Sequence, residues 1–509
     1  MRVPYSELNK YVKVEDIDPE ELVEKLNTHS VEATLDYFGN PDVEKVVVAQ
    51  ILETEPHPSL KRLLVCKVDI GRETLTICTN DRSVKAGDKV FAVLPGGRVG
   101  DLTISERNFK GVISQGMFLG LEELVGVPSE GVFKFHDPSV EVGTDAVRLL
   151  GIGEPIIELD ITPNRGDLLS VKGLAREISA LYGRPLKEKE VPLIETFGGE
   201  VEIEILDKGC NRYRAAVVRN VKVNESPLWL MLALWKFGEA VINNVVDITN
   251  YLLFTEGNPM HAFDLDKIEG KIYVRSAKRG EKFRALNGRE YSLTEEDLVI
   301  ADDKKVLALA GIIGGSESAV SFETKNLLLE TAHFDPFRVR KSAKRHDIRT
   351  ESSYRFERNV DIENVEMAQN LALKLISELA KGEVTALRDI YPNPYRPKVV
   401  SLNFKKLVEF GGTYIEPSKV LEILNRLGLP TEVEIEEEDL KRAILKYLSQ
   451  KRGCKGFRLP YEGENADAYL ICKGKEVAVK FGKAPENFKG LVVNFTLEGA
   501  NLHLDIEEF

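Results

Sequence analysis

The sequence predicts a multidomain α+β protein, and three observations carry that expectation. The chain is 509 residues long, more than one hydrophobic core usually serves. Short apolar runs closed by turn residues fill 40–150, among them VEKVVVAQILE, RLLVCKVDI and KVFAVLP, the pattern of a strand-rich segment. Beyond residue 200 helical and strand patterns occur together in one long stretch, which reads as α+β.

Residues 1–39 read as a small helical cap, because PEELVEKLNTHSVEATL places apolar residues at helical spacing up to a break at Asn27–Ser30. Residues 40–150 then suggest a small barrel of the oligonucleotide-binding kind. From Asp42 to Glu123 it carries eleven Lys/Arg against twelve Asp/Glu, so it has no basic face. Within 151–199, ITPNRGDLLSVKGLAREISALYGRPL gives a turn and then a helix ending at Gly183, capped by Asp167 or Ser170.

The segment 200–399 opens with an amphipathic helix whose Trp229 and Trp235 are expected in the core. The strands KIYVRSA, KFRALNG, REYSL and DLVIADD follow, with hairpin turns at Asn287-Gly288 and Asp302-Asp303. IENVEMAQNLALKLISELAKG reads as a helix closed by Gly382. After 400 come further helical patterns and an acidic joint at 435–440.

Composition limits the function classes. Hydrophobic content of 43% and charged content of 30% are those of a soluble globular chain, and no run of 18 apolar residues occurs. The N-terminus lacks an apolar core of signal-peptide length. Cysteines 66, 78, 210, 454 and 472 are odd in number and lack C-x-x-C spacing, so neither a disulfide framework nor a zinc site is expected, and a reducing cytoplasm fits. A net charge of −13 confines any nucleic-acid contact to a local patch.

Such a patch lies in 308–361. An apolar run ends in Gly311, Ile312, Ile313, Gly314 and Gly315, and paired glycines let backbone approach a ligand closely. LLLE at 327–330 is a buried-strand pattern ending on a lone carboxylate, Glu330. Between Arg338 and Arg358 lie eight Lys/Arg against three acids, with Tyr354 and Phe356 interleaved as if to stack on bases. Upstream, Asn243, Asn244, Asp247, Thr249 and Asn250 form a polar string before Pro259 and His261, which in a buried run must bond a ligand or each other. Plainer alternatives stand beside these readings. The glycines suit an ordinary turn, the basic run a solvated helix face, His261 a satisfied core histidine, and Glu330 an ion pair with a downstream arginine.

DITNY, PMHAFD, LAGIIGG, LLLETAHF and TESSYRFER, in this order, resemble the central module of the bacterial phenylalanyl-tRNA synthetase β subunit. KGVISQGMFLG and His57-Pro58 resemble the tRNA-binding domain of the same family. The resemblance implies pairing of 1–39 with 151–190, an editing domain at 200–399, a partial helix-turn module at 400–436 and a remnant of the degenerate synthetase fold at 437–509. It implies a truncated form without an anticodon-binding domain. It implies hydrolysis of Tyr-tRNA(Phe), with His261 and Glu330 catalytic and Thr249, Asn250, Pro259, Gly314, Gly315, Thr350 and Ser352 around the substrate.

Arg338, Arg340, Lys344, Arg345 and Lys110 would contact tRNA(Phe). No metal or cofactor is expected in this chain; ATP and Mg²⁺ would act on a separate α subunit. The sequence departs from the family at Ala240, where an arginine is usual, at Glu351-Ser352-Ser353, and at Asn258. Two rival readings follow: a stand-alone trans-editing hydrolase, and a non-catalytic tRNA-binding or regulatory paralogue.

Overall fold

The strand Leu327–Phe334 is buried at all eight positions and organises the larger part of the molecule. It comes from a computed structural model that describes every residue except 188, 195–196, 199–200, 432–436, 462–463, 474, 484, 499–500 and 509. The chain divides into two compact units, Met1–Tyr414 and Ile415–Phe509.

In the first unit, Leu327–Phe334 pairs antiparallel with Met260–Asp264 on one side and Cys210–Arg219 on the other, and Glu383–Ile390 extends the sheet to four strands. Alternation along these strands sends Leu328, Ala332, Tyr213, Ala215 and Phe263 into one core and Leu327, Leu329, Ala216 and Ala262 into another. The first core is closed by a second sheet with the strands Ile203–Ile205, Ile272–Ser276, Leu298–Ala301, Val306–Leu309 and Ile313–Gly314. The helix Asn364–Ala380 covers the other face, where Gln369 Nε2 donates to the carbonyls of Arg214 and Leu329. That helix ends on Lys381 at φ +58, one residue before the expected Gly382.

The polar string proves to be structural scaffolding. Asn243 caps the helix Asn244–Glu256 by accepting from the N–H groups of Val245 and Val246. Asn244 donates to the carbonyls of Lys222 and Leu379 and accepts from Asn224 N–H, while Asp247 accepts from Ser226 and Ile242. Trp235 is buried in the core, but Trp229 is 40% exposed and meets Tyr251 edge-on.

Strands appear where the N-terminus was read as helical. Arg2–Pro4 and Glu32–Tyr37 flank Pro155–Asp160 in a three-stranded antiparallel sheet. EATLDY and PIIELD are too short to announce themselves, and each strand's partner lies far along the chain. The helices Pro19–His29 and Val171–Tyr182 accompany this sheet, the second capped by Ser170 and closed by Gly183 at φ +66. Residues 43–119 form a sheet in the order Met117–Leu119, Lys89–Val99, Val43–Pro56, Leu64–Asp69, Thr74–Thr79. The hydrogen-bonded path of this ladder is open at its ends; its last strand reaches the 114–115 turn through Gln115 N–H on Thr76 O (2.7 Å) and Cys78 N–H on Ser114 Oγ (3.0 Å).

The second unit packs the helix Glu437–Lys451, through Leu440, Ile444 and Leu448, on a five-stranded sheet whose strands follow chain order from Gly456–Arg458 to Asn501–Glu508. The acidic joint expected at 435–440 begins outside the described residues. A disulfide joins Cys454 to Cys472, against the sequence expectation. The spacing gave no hint of it because the two meet only through the pairing of adjacent strands Gly456–Arg458 and Ala468–Cys472. Among the described residues no helix is long and apolar enough to cross a membrane.

Replacing Asn244 by alanine leaves the carbonyls of Lys222 and Leu379 and the Asn224 N–H without their partner. A loss of about 2–3 kcal/mol in urea unfolding is expected, and an unchanged midpoint would contradict the scaffolding role.

Candidate functional site

His261 and Glu330 sit directly opposite each other on adjacent antiparallel strands. Register partners share a sheet face with Cβ atoms roughly 4.5–5.5 Å apart, so the two side chains emerge together toward the second sheet. There they line a cavity of about 50 Å³ with Pro259, Gly314 and Ser352. Met260 and Ile300, which the sequence did not single out, and Phe356, expected there to stack on bases, add apolar wall.

Gly314 is required by this arrangement. A Cβ there would lie 2.2 Å from His261 Cε1, so any side chain would displace the ring. Gly311 at φ +72 turns the preceding loop while its Cα faces Phe356 and Phe334 too closely for a side chain. Thr350 holds the loop from behind: it caps the helix Glu351–Phe356 and donates to the Ile312 carbonyl at 2.8 Å. Gly315, Thr249, Asn250 and Thr350 do not line the cavity. Gly315 packs on the Leu307 carbonyl, and the Thr249 hydroxyl bonds Val246 O within its own helix.

The electrostatics are those of uncompensated burial. Glu330 is 5% exposed and, among the described residues, has no hydrogen-bonding or ionic partner, so the anticipated pairing with a downstream arginine does not occur. Burial alone pushes its carboxyl up to about 8. His261 keeps part of its surface open, but its Nε2 is enclosed without a partner, and burial pushes the imidazole down to about 4. Near neutral pH the site therefore holds a neutral imidazole beside a largely protonated carboxyl. Tyr213, on the same face, has a fully buried hydroxyl without a partner and is pushed upward by burial and by Glu330.

The basic patch divides. Arg338 is bound to Asp207, and Arg345 to Asp297 (2.5 Å) and Glu296. These carboxylates come from distant segments, so the sequence could not show that the two arginines are already engaged. Arg340, Lys344 and Lys110 are exposed. Phe356 is buried against Phe334 and is unavailable for base stacking. His333 and His346 are held by Asn211 and Asp297. Among the described residues no three His, Cys, Asp or Glu are grouped to hold a metal.

Two family profiles match the chain: a tRNA binding domain over residues 46–145 and a B3/4 domain over 209–381. The chain is 49% identical over 435 residues to the phenylalanine–tRNA ligase β subunit of Aquifex aeolicus, covering 85% of this chain and 56% of that protein. With the same subunit of Thermotoga maritima it shares 43% identity over 441 residues, 85% of this chain and 55% of that protein. The chain thus spans about half the length of these relatives. An N-terminal fragment of the phenylalanyl-tRNA synthetase β subunit from Pyrococcus horikoshii aligns over 56% of this chain and 80% of its own, at 20% identity and a TM-score of 0.27, too distant to bear on the fold.

The raised Glu330 pKa makes stability depend on pH with a definite sign. The unfolded carboxyl releases its proton near 4.5 and the folded one near 8, so stability present below about 4.5 is lost as pH rises through about 8. Glu330→Gln removes that loss. Its unfolding free energy is expected to gain on the wild type steadily from about pH 4.5 to about pH 8, by at most about 5 kcal/mol. A gap independent of pH would show that Glu330 is ionised when folded.

Proposed function

The chain belongs to the phenylalanine–tRNA ligase β-subunit family over the part that aligns, and from that premise we propose that it binds tRNA(Phe) and hydrolyses mischarged Tyr-tRNA(Phe) at the His261–Glu330 site. The observation that carries the reading is a buried carboxyl and a free imidazole nitrogen, side by side and unpartnered among the described residues, in a small cavity. Structural residues are satisfied; groups left unsatisfied at this cost await a ligand.

Tyrosine differs from phenylalanine by one hydroxyl, and an apolar synthetic pocket rejects an added hydroxyl only by about 10². A second site must therefore reward the hydroxyl. Glu330 does so by hydrogen-bonding it, and phenylalanine leaves the carboxyl desolvated and unpaired. His261, neutral at its lowered pKa, positions a water against the ester carbonyl through Nε2. Attack by that water opens the ester to free tyrosine and the terminal ribose hydroxyl of the tRNA. The cavity has room for only about one or two waters, so substrate entry requires the 311–315 loop to move off His261. Pro259, Gly314 and Ser352 would then border the aminoacyl group, with Thr249, Asn250, Gly315 and Thr350 supporting them.

Residues 40–150 would close as an oligonucleotide-binding barrel around the recorded ladder, with Lys110 on its surface, and Arg340 and Lys344 would approach the tRNA backbone. Ligation, with ATP and Mg²⁺, would fall to a separate α subunit in the cytoplasm.

Purified protein is expected to release tyrosine from Tyr-tRNA(Phe) while leaving Phe-tRNA(Phe) intact. His261→Ala should slow release by roughly 10², and Glu330→Ala should abolish discrimination between the two. Release at the spontaneous rate by the wild type, or equal release by both variants, would refute the assignment.

A further inference from the structure

A second cavity of about 540 Å³ lies on the opposite face of the same sheet, where His333 and Asn211 emerge. The alternation that sends Glu330 one way sends His333 the other. The short helix Glu351–Phe356 serves both: Ser352 and Phe356 line the first cavity and Arg355 the second.

Two guanidinium groups of this second cavity have hydrogen-bonding capacity left over, while Lys172 is engaged by Asn364 (2.8 Å) and Glu256 (3.4 Å). Arg355 is 2% exposed; its Nε donates to Leu169 O and its Nη1 to Glu351, but Nη2 is buried with no partner. Arg176 lines the cavity and, among the described residues, has no hydrogen bond or ion pair. It stands one turn after Lys172 on the helix Val171–Tyr182, a like-charge pair that repels. Burial, with Arg176 opposing the attraction of Glu256, lowers the Lys172 pKa.

The carboxylates around the cavity are already committed. Asp167 holds Arg165 at 2.8 Å, and Glu256 holds Lys172 at 3.4 Å and Lys189 at 3.2 Å. Glu363 accepts from Tyr391 at 2.5 Å, and Asp361 accepts from the N–H groups of Glu363 and Asn364. Guanidinium donors on Arg176 and Arg355 remain without a partner among the described residues. Their planar forks match the oxygens of a phosphate, and an anion between Lys172 and Arg176 would remove their repulsion.

We propose that this cavity binds a phosphate group, with Arg176 as the accessible guanidinium and Arg355 as the buried one. The phosphate could be the diester of a nucleic acid or a terminal phosphate, and the chemistry is common to both. The assignment does not rest on the hydrolytic reading of the first site.

Calorimetric titration of the full chain with inorganic phosphate and, separately, with the dinucleotide CpA tests it. Saturable binding is expected for at least one probe, weakened at least tenfold in Arg176→Ala and only partly restored in Arg176→Lys, with unchanged melting temperatures. Loss confined to CpA assigns a diester, and loss confined to phosphate assigns a terminal group. Absence of saturable binding by the wild type, or equal affinity in Arg176→Ala, overturns the proposal. Because no aminoacyl ester is involved, failure of editing leaves this readout unaffected.

Discussion

The enclosure of Glu330 in the strand Leu327–Phe334 is the constraint on which the site depends. Seven neighbours on that strand are buried with it and none brings a compensating charge. Arg214, on the adjacent strand and the other face, shows what the same sheet does with a charge it needs for structure. It is equally buried, yet Gln369, Asn370 and Asp389 take up its donors at 2.8, 2.8 and 3.2 Å. Glu330 has no such shell. The same sheet satisfies one buried ion fully and leaves the Glu330 carboxyl, kept largely neutral by burial, beside an imidazole whose Nε2 has no partner among the described residues.

The rest of the site follows from this pair. The 311–315 loop must come close to His261, so Gly314 has no room for a side chain. The loop needs an anchor, and Thr350 supplies it by bonding the Ile312 carbonyl while capping the helix behind it. That helix also carries Arg355 to the far side of the sheet. The two cavities therefore share this helix, and the 311–315 segment is anchored to its cap.

Much of this was legible in the sequence because it rests on local rules. The glycines after an apolar run, the carboxylate ending LLLE and the Ser170 cap with Gly183 declare themselves through backbone conformation and burial pattern. What escaped depends on partners remote in sequence. Arg338 and Arg345 looked free until Asp207, Glu296 and Asp297 were brought to them. Asn244 and Asp247 were open to bonding a ligand or each other in the sequence, because nothing local reveals the Lys222 and Leu379 carbonyls or the Ser226 hydroxyl that they meet. The strands Glu32–Tyr37 and Pro155–Asp160, and the Cys454–Cys472 disulfide, exist only through pairing that spacing does not encode.

The state of the Glu330 carboxyl is the most direct test of this account. Carbon-13 NMR of side-chain carboxyls, assigned by comparison with Glu330→Gln, follows its titration in the folded protein. An apparent pKa near about 8 is predicted, well separated from the other glutamates. Titration in the ordinary range, around 4.3, would mean that the carboxylate has solvent or a cation at hand, and the uncompensated pair at the centre of the site would not exist.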